Sequence, residues 1–151
     1  MAGSTGGRIV VGVDGSTPSK AALAWALEEA RLRDASVQVV HAWQFPAVGL
    51  TTFGAAALPV IAPEDLEHAA EETVQQMLAA VADRAKAVEV TSSVERGHPA
   101  EALVAAAKGA DLLVVGSRGH GGFTGMLLGS VSSHVVHHAT CPVVVVRGEE
   151  D

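Results

Sequence analysis

The chain has 151 residues, 48% of them hydrophobic, which is enough to bury one core and too few for two. Its formal net charge of -7 excludes a protein that grips nucleic acid or an anionic membrane by bulk electrostatics, because both would repel it. A single cysteine excludes an internal disulfide framework, and no apolar run reaches spanning length, so a chain of the reducing cytoplasm is expected.

Met1 to Gly7 is rich in small residues and has no apolar centre, so residues 1–7 read as a loose tail and not a signal peptide, ahead of a domain over residues 8–148. Arg8 to Val13 is a β-branched run that stops at Asp14-Gly15-Ser16-Thr17-Pro18. Thr17 as cap and Pro18 as first helical residue then open a helix to about Asp34, with Leu23, Ala26, Leu27 and Ala30 on one face. Val37 to Trp43 is a second strand. Residues 44–62 form a long apolar connection broken by Pro46, Gly49, Gly54 and Pro59, which suits a lid, a mobile segment or a surface packed on a partner.

Pro63 starts a long helix whose Leu66, Ala70, Val74, Met77, Leu78 and Val81 make one apolar stripe, Met77 serving as core filler. Val88 to Val94 alternates as a third strand, and Pro99 to Lys108 is a short helix ended by Gly109. Asp111 to Gly116 is a fourth strand, apolar enough to be covered on both faces. Ser130 to His138 is the last helix, and Pro142 to Arg147 the fifth strand. Cys141, just before it, reads as a small buried hydrophobe.

Alternating strands and helices imply right-handed crossovers and a doubly wound α/β fold, one parallel sheet with helices on both faces. Among the plausible topologies, the order 3-2-1-4-5 puts the reversal between the first and fourth strands, where ligands of such sheets bind. Asp14 follows the first strand. After the fourth come Gly116, Arg118, Gly119 and then Gly129-Ser130 at the mouth of a helix. Small residues let the backbone approach a ligand, and the helix start offers free N–H groups and a positive dipole end, so this is a phosphate cradle. Ser130 reads as the helix cap, with phosphate contact as an added role.

No Asp or Glu lies between Asp111 and Glu149, while Arg118, Arg147 and four of the seven histidines do. The stretch reads either as a local field kinder to an anion than the whole molecule or as a neutral, solvated loop. Asp14 suits a ribose hydroxyl, a divalent cation beside a polyphosphate, or an Asx turn before Gly15. His134 and His138 have the i, i+4 spacing of a metal pair but lack a third ligand nearby, and solvent exposure is the better reading. There is no G-x-x-x-x-G-K-[ST] and no G-x-G-x-x-G after the first strand, which disfavours P-loop and dinucleotide-binding chemistry.

The spacing Gly116-x2-Gly119-x9-Gly129-Ser130, with Val11-Gly12-Val13-Asp14-Gly15-Ser16 and Cys141-Pro142-Val143-Val144-Val145-Val146, resembles the universal stress protein family, in its ATP-binding type. The resemblance covers the chain beyond its tail, residues 44–62 excepted. It implies that Asp14 contacts the ribose, that Gly12 leaves room for the nucleotide, and that the backbone of Ala42 bonds adenine. Val115 and Gly116 would line the ribose, and Arg118, Gly119, Gly129, Ser130, Val131 and Ser132 would surround the phosphates. It also implies a homodimer through Pro142 to Val146.

Three functional readings follow. One is a cytoplasmic stress-response switch that binds ATP, with Mg²⁺, and hydrolyses it slowly at most, since no dedicated base is evident and no catalytic residue is assigned. The second is a cyclic AMP sensor or buffer. The third is a dimeric interaction module without nucleotide turnover.

Overall fold

Valine-rich segments pair in register to make the centre of the molecule. The computed structural model describes residues 7–44, 62–118 and 128–148. Residues 1–6 of the expected 1–7 tail, most of the 44–62 connection, and Gly119 lie outside the described residues. The strands are β1 (Arg8–Gly12), β2 (Ser36–Trp43), β3 (Val90–Arg96), β4 (Leu112–Gly116) and β5 (Val143–Val146). All neighbours are parallel, and the order is β3-β2-β1-β4-β5, the doubly wound order expected from sequence. Between them run α1 (Thr17–Arg33), α2 (Pro63–Ala80), a single turn α3 (Ala82–Ala85), α4 (Pro99–Ala106) and α5 (Ser130–His138).

Alternation along β1 divides the core in two. Ile9, Val11 and Val13 face one layer, with Leu23, Ala26, Leu27 and Ala30 of α1 and Val74 and Met77 of α2. Val10 faces the other, with Val40, Leu113 and Val115 of the sheet, Ala100 and Leu103 of α4, and Val135 of α5. Burial of each large apolar side chain stabilises the fold by about 1.5–3 kcal/mol, so these two layers fix which face every helix covers.

Some boundaries differ from the sequence expectation, each for a local reason. Ser16, not Thr17, caps α1: its hydroxyl accepts from the Ser19 N–H, and Thr17 is already helical. The stripe from Leu66 to Val81 does not lie on one unbroken helix, because Val81 leaves helical geometry (φ -118°, ψ 22°) before α3 resumes it. The third strand starts at Val90 rather than Val88, since the Val88 N–H still bonds back to the Ala85 carbonyl and the chain is turning there. α4 ends at Ala106, two residues before Lys108.

Arg8 ties the amino-terminal edge of the sheet together. Its backbone N–H donates to Asp111 Oδ2 at 2.8 Å, and the Asp111 N–H donates back to the Arg8 carbonyl at 2.9 Å. Its guanidinium donates to Gln38 Oε1, to the Ala106 carbonyl and to the Lys108 carbonyl, each at 2.9 Å. The latter two stand at the C-terminal end of α4, where the carbonyls lack helical partners and the dipole end is negative. One fork thus joins β1, β2 and α4.

Arg8→Ala is expected to lower unfolding free energy by about 2 kcal/mol in denaturant titration, the scale of charge-assisted hydrogen bonds. Arg8→Lys should recover only part of it, because an ammonium does not reproduce the fork.

Candidate functional site

The central strand is shorter than its neighbours at the carboxyl end. β1 pairs with β2 as far as Gly12↔Val40 and with β4 as far as Val11↔Val114. β2 continues to Trp43, held by β3, and β4 continues to Gly116, held by β5. A crevice opens above the end of β1.

The ladder pattern shows what faces it. The Val13 N–H donates to the Val40 carbonyl at 3.0 Å, so Val40 turns its backbone toward β1. Two residues on, Ala42 turns the same way, past the end of β1. On the other side, the N–H groups of Leu113 and Ser117 donate to the Pro142 and Val146 carbonyls, at 2.9 and 2.8 Å, so odd-numbered residues of β4 face β5. Gly116 therefore turns its amide and carbonyl toward the crevice. The two backbone edges confront each other across the turn that carries Asp14.

That turn is closely held. Asp14 Oδ1 accepts from the Ser16 N–H at 2.9 Å and from the Ser16 hydroxyl at 2.5 Å, while the Asp14 N–H donates to Ser19 Oγ at 3.2 Å. Gly15 has φ 85°, a left-handed conformation that side chains disfavour. The Asx-turn role of Asp14 is thus present, and it aims the carboxylate group at the start of α1.

The connection from β4 to α5 is closed at its base. The Gly129 N–H donates to the Ser117 carbonyl at 2.7 Å. The hydroxyl of Ser132, which is 2% exposed, donates to the same carbonyl at 2.9 Å and lies 3.2 Å from the Gly129 carbonyl. Gly129, not Ser130, is the N-cap of α5: it stands in extended geometry, and Ser130 is the first helical residue. Ser130 is exposed, and no hydrogen bond is formed by its hydroxyl among the described residues. The Ser133 N–H is the first to bond within the helix, to the Gly129 carbonyl, so the amides of Ser130, Val131 and Ser132 remain as the helix's outward donors. The Ser132 side chain serves the closure, while its amide belongs to the helix start.

Two site glycines have packing reasons of their own. A Cβ on Gly12 would stand 2.6 Å from Leu103 Cδ1, so its smallness makes room for α4. A Cβ on Gly116 would stand 2.7 Å from the Pro18 carbonyl carbon, so Gly116 seats the start of α1 on β4. Val115 is buried, its side chain in the α4–α5 layer. Arg118 is half-buried at the last described position before Gly119.

Sequence reasoning passed over Ser117, the acceptor that closes the β4–α5 connection, and assigned no role to His41. A polar residue directly after an apolar strand was the only signal for the first. His41 Nδ1 lies 2.8 Å from the Val13 carbonyl, beside Asp14. The His134 and His138 rings lie with centroids 4.3 Å apart, but among the described residues no group of three or more His, Cys, Asp or Glu is placed to hold a metal ion. Cys141 packs against the α4–α5 layer, and burial pushes its thiol up, which suits a structural residue rather than a nucleophile. No helix among the described residues is long and apolar enough to cross a membrane.

A doubly wound sheet with a crevice at its switch point and a helix start beside it defines a class of ligand-binding α/β proteins. The model of the universal stress protein family matches residues 6–147, and the chain belongs to that family. It is 41% identical over 141 residues to a universal stress protein of Mycolicibacterium smegmatis, covering 92% of this chain and 45% of that relative; the chain thus spans about half the relative's length. Among solved structures it is similar to a universal stress protein in complex with cAMP (28% identity, TM-score 0.65, 98% of this chain and 100% of the other). It is also similar to the Archaeoglobus fulgidus universal stress protein in complex with dAMP (27% identity, TM-score 0.65, 92% and 96%).

The two glycines separate by experiment. Gly116→Ala must displace the backbone at Pro18 and is expected to cost about 1–3 kcal/mol of stability, as overpacking does. Gly12→Ala meets only the end of a leucine side chain and should lower the melting temperature less. Equal losses in thermal unfolding would contradict this ranking.

Proposed function

We propose that the chain binds an adenine nucleotide over the end of β1, with ATP and Mg²⁺ as its ligand, and acts as a nucleotide-dependent switch with slow hydrolysis at most. The observation that carries this reading is the pair of backbone edges at Ala42 and Gly116, facing one another across Asp14. The Ala42 amide and carbonyl offer the donor and acceptor that an adenine edge needs. Asp14 accepts from ribose hydroxyls, and Gly116 and Val115 flank the sugar. The amides of Ser130, Val131 and Ser132, the Ser130 hydroxyl, Gly129, Arg118 and Gly119 receive the phosphates, in the positive field of the helix start. Gly12 supports the site through packing. The adenylate ligands of the two similar structures support the choice of base.

In this reading the domain spans residues 8–148, works in the cytoplasm, and pairs as a homodimer through Pro142 to Val146. β5 is the edge of the sheet, and a run of four half-buried valines there gains by pairing across a two-fold axis. A second reading is favoured by the cAMP complex of a similar protein: a cyclic AMP sensor or buffer, whose single phosphate needs the same helix start and less room.

Calorimetric titration of nucleotide-stripped protein with ATP, with and without Mg²⁺, and with cyclic AMP tests both. Mg²⁺-dependent tightening for ATP supports the first reading, preference for cyclic AMP the second, and binding of neither leaves the dimeric interaction module. Asp14→Ala is expected to weaken nucleotide binding about tenfold or more, the scale of a lost hydrogen bond to a charged group. Asp14→Asn, which keeps the turn acceptor, should retain wild-type stability while binding more weakly. Gly119→Val should abolish binding without unfolding the protein.

A further inference from the structure

His41 reaches across the sheet to a peptide that its own backbone does not touch. In β2 it is paired with Val94 of β3, and the backbone of this residue turns toward that strand. Its side chain instead lies toward β1, with Nδ1 2.8 Å from the Val13 carbonyl. A carbonyl only accepts, so Nδ1 carries the hydrogen, a requirement met by one neutral tautomer and by the imidazolium alike.

The peptide so held is the one joining Val13 to Asp14. Its carbonyl is fixed by His41 from β2, and its N–H by Ser19 Oγ from α1, at 3.2 Å. The carboxylate beyond it is fixed by Ser16. The last ladder bond to β2 runs from the Val13 N–H to the Val40 carbonyl, and beyond it side chains supply the restraint that a sheet supplies elsewhere.

We infer that His41 is a positioning residue for nucleotide binding: by anchoring the Val13–Asp14 peptide it sets the Asp14 carboxylate where the ribose hydroxyls meet it. The inference rests on the proposed nucleotide site and adds to it a group that acts through Asp14. Preorganisation of this kind raises affinity by removing the loss of freedom that a loose turn would suffer on binding.

The test is a double-mutant cycle read by calorimetry, using ATP with Mg²⁺ or cyclic AMP, whichever the wild-type protein binds more tightly. H41A is expected to weaken binding roughly tenfold, from the hydrogen bond and the lost order of the turn together. H41N, whose amide nitrogen stands where Nδ1 stood, should recover most of it. In a D14A background H41A should have no further effect. Additive losses, or H41A with a lower melting temperature and unchanged affinity, would overturn the inference and return His41 to a purely structural bond. Should H41A fail to fold, H41Q takes its place in the cycle, since its donor is displaced by one methylene. Wild-type protein that binds neither nucleotide refutes the site itself, an outcome distinct from any within the cycle.

Discussion

Everything about the site depends on β1 ending before its neighbours do. A central strand is paired on both sides, and its pairing satisfies one edge of β2 and one of β4. Where β1 stops, those edges continue for up to three residues at Ala42 and Gly116 with their backbone groups unspent on the sheet. Both residues are half-buried, so these backbone groups are left to meet water or a ligand at that point. The strand order decides that this gap falls at the middle of the sheet and not at its rim, with helices walling both sides.

The residues around this gap carry two duties. Gly116 contributes a backbone edge to the crevice, yet its lack of a side chain is required by Pro18, which is buried as α1 begins. Ser16 caps α1 with the same hydroxyl that donates to Asp14. Ser132 spends its hydroxyl closing the base of the β4–α5 connection and keeps its amide for the helix start. Such coupling explains why the carboxylate, the helix start and the strand edges hold fixed relative positions: each is anchored by a group that also belongs to the core.

Much of this architecture was legible in the sequence because it rests on periodicity. Val-rich runs of four to eight residues separated by helices specify a parallel sheet, and Asp14 and Gly116 follow the two strands between which the order reverses. What was not legible was which residue performs which local bond. Thr17 and Ser16 are both good caps, and only the turn geometry selects Ser16. Ser130 has the right chemistry to cap α5, but the chain enters extended at Gly129 and places Ser130 inside the helix. The packing role of Gly12 lies with Leu103, over ninety residues away, a separation that no local pattern encodes. His41 likewise gains meaning only when β2 lies beside β1.

The same arrangement supports the proposed reading, in which binding outruns chemistry. Hydrolysis of a phosphoanhydride needs a group that orients water at the terminal phosphate and cations that neutralise developing charge. Asp14 already accepts two hydrogen bonds from Ser16 on one oxygen, which ties it to the turn at the end of β1. The helix start that would hold the phosphates lies beside β4 instead, with no acidic residue between Asp111 and Glu149 to serve as base. Backbone amides and a dipole stabilise the ground-state anion as well as the transition state, and uniform binding of that kind tightens affinity without accelerating the reaction. In that reading, a fold that would recognise its ligand mainly through main-chain groups is suited to hold a nucleotide and respond to its presence.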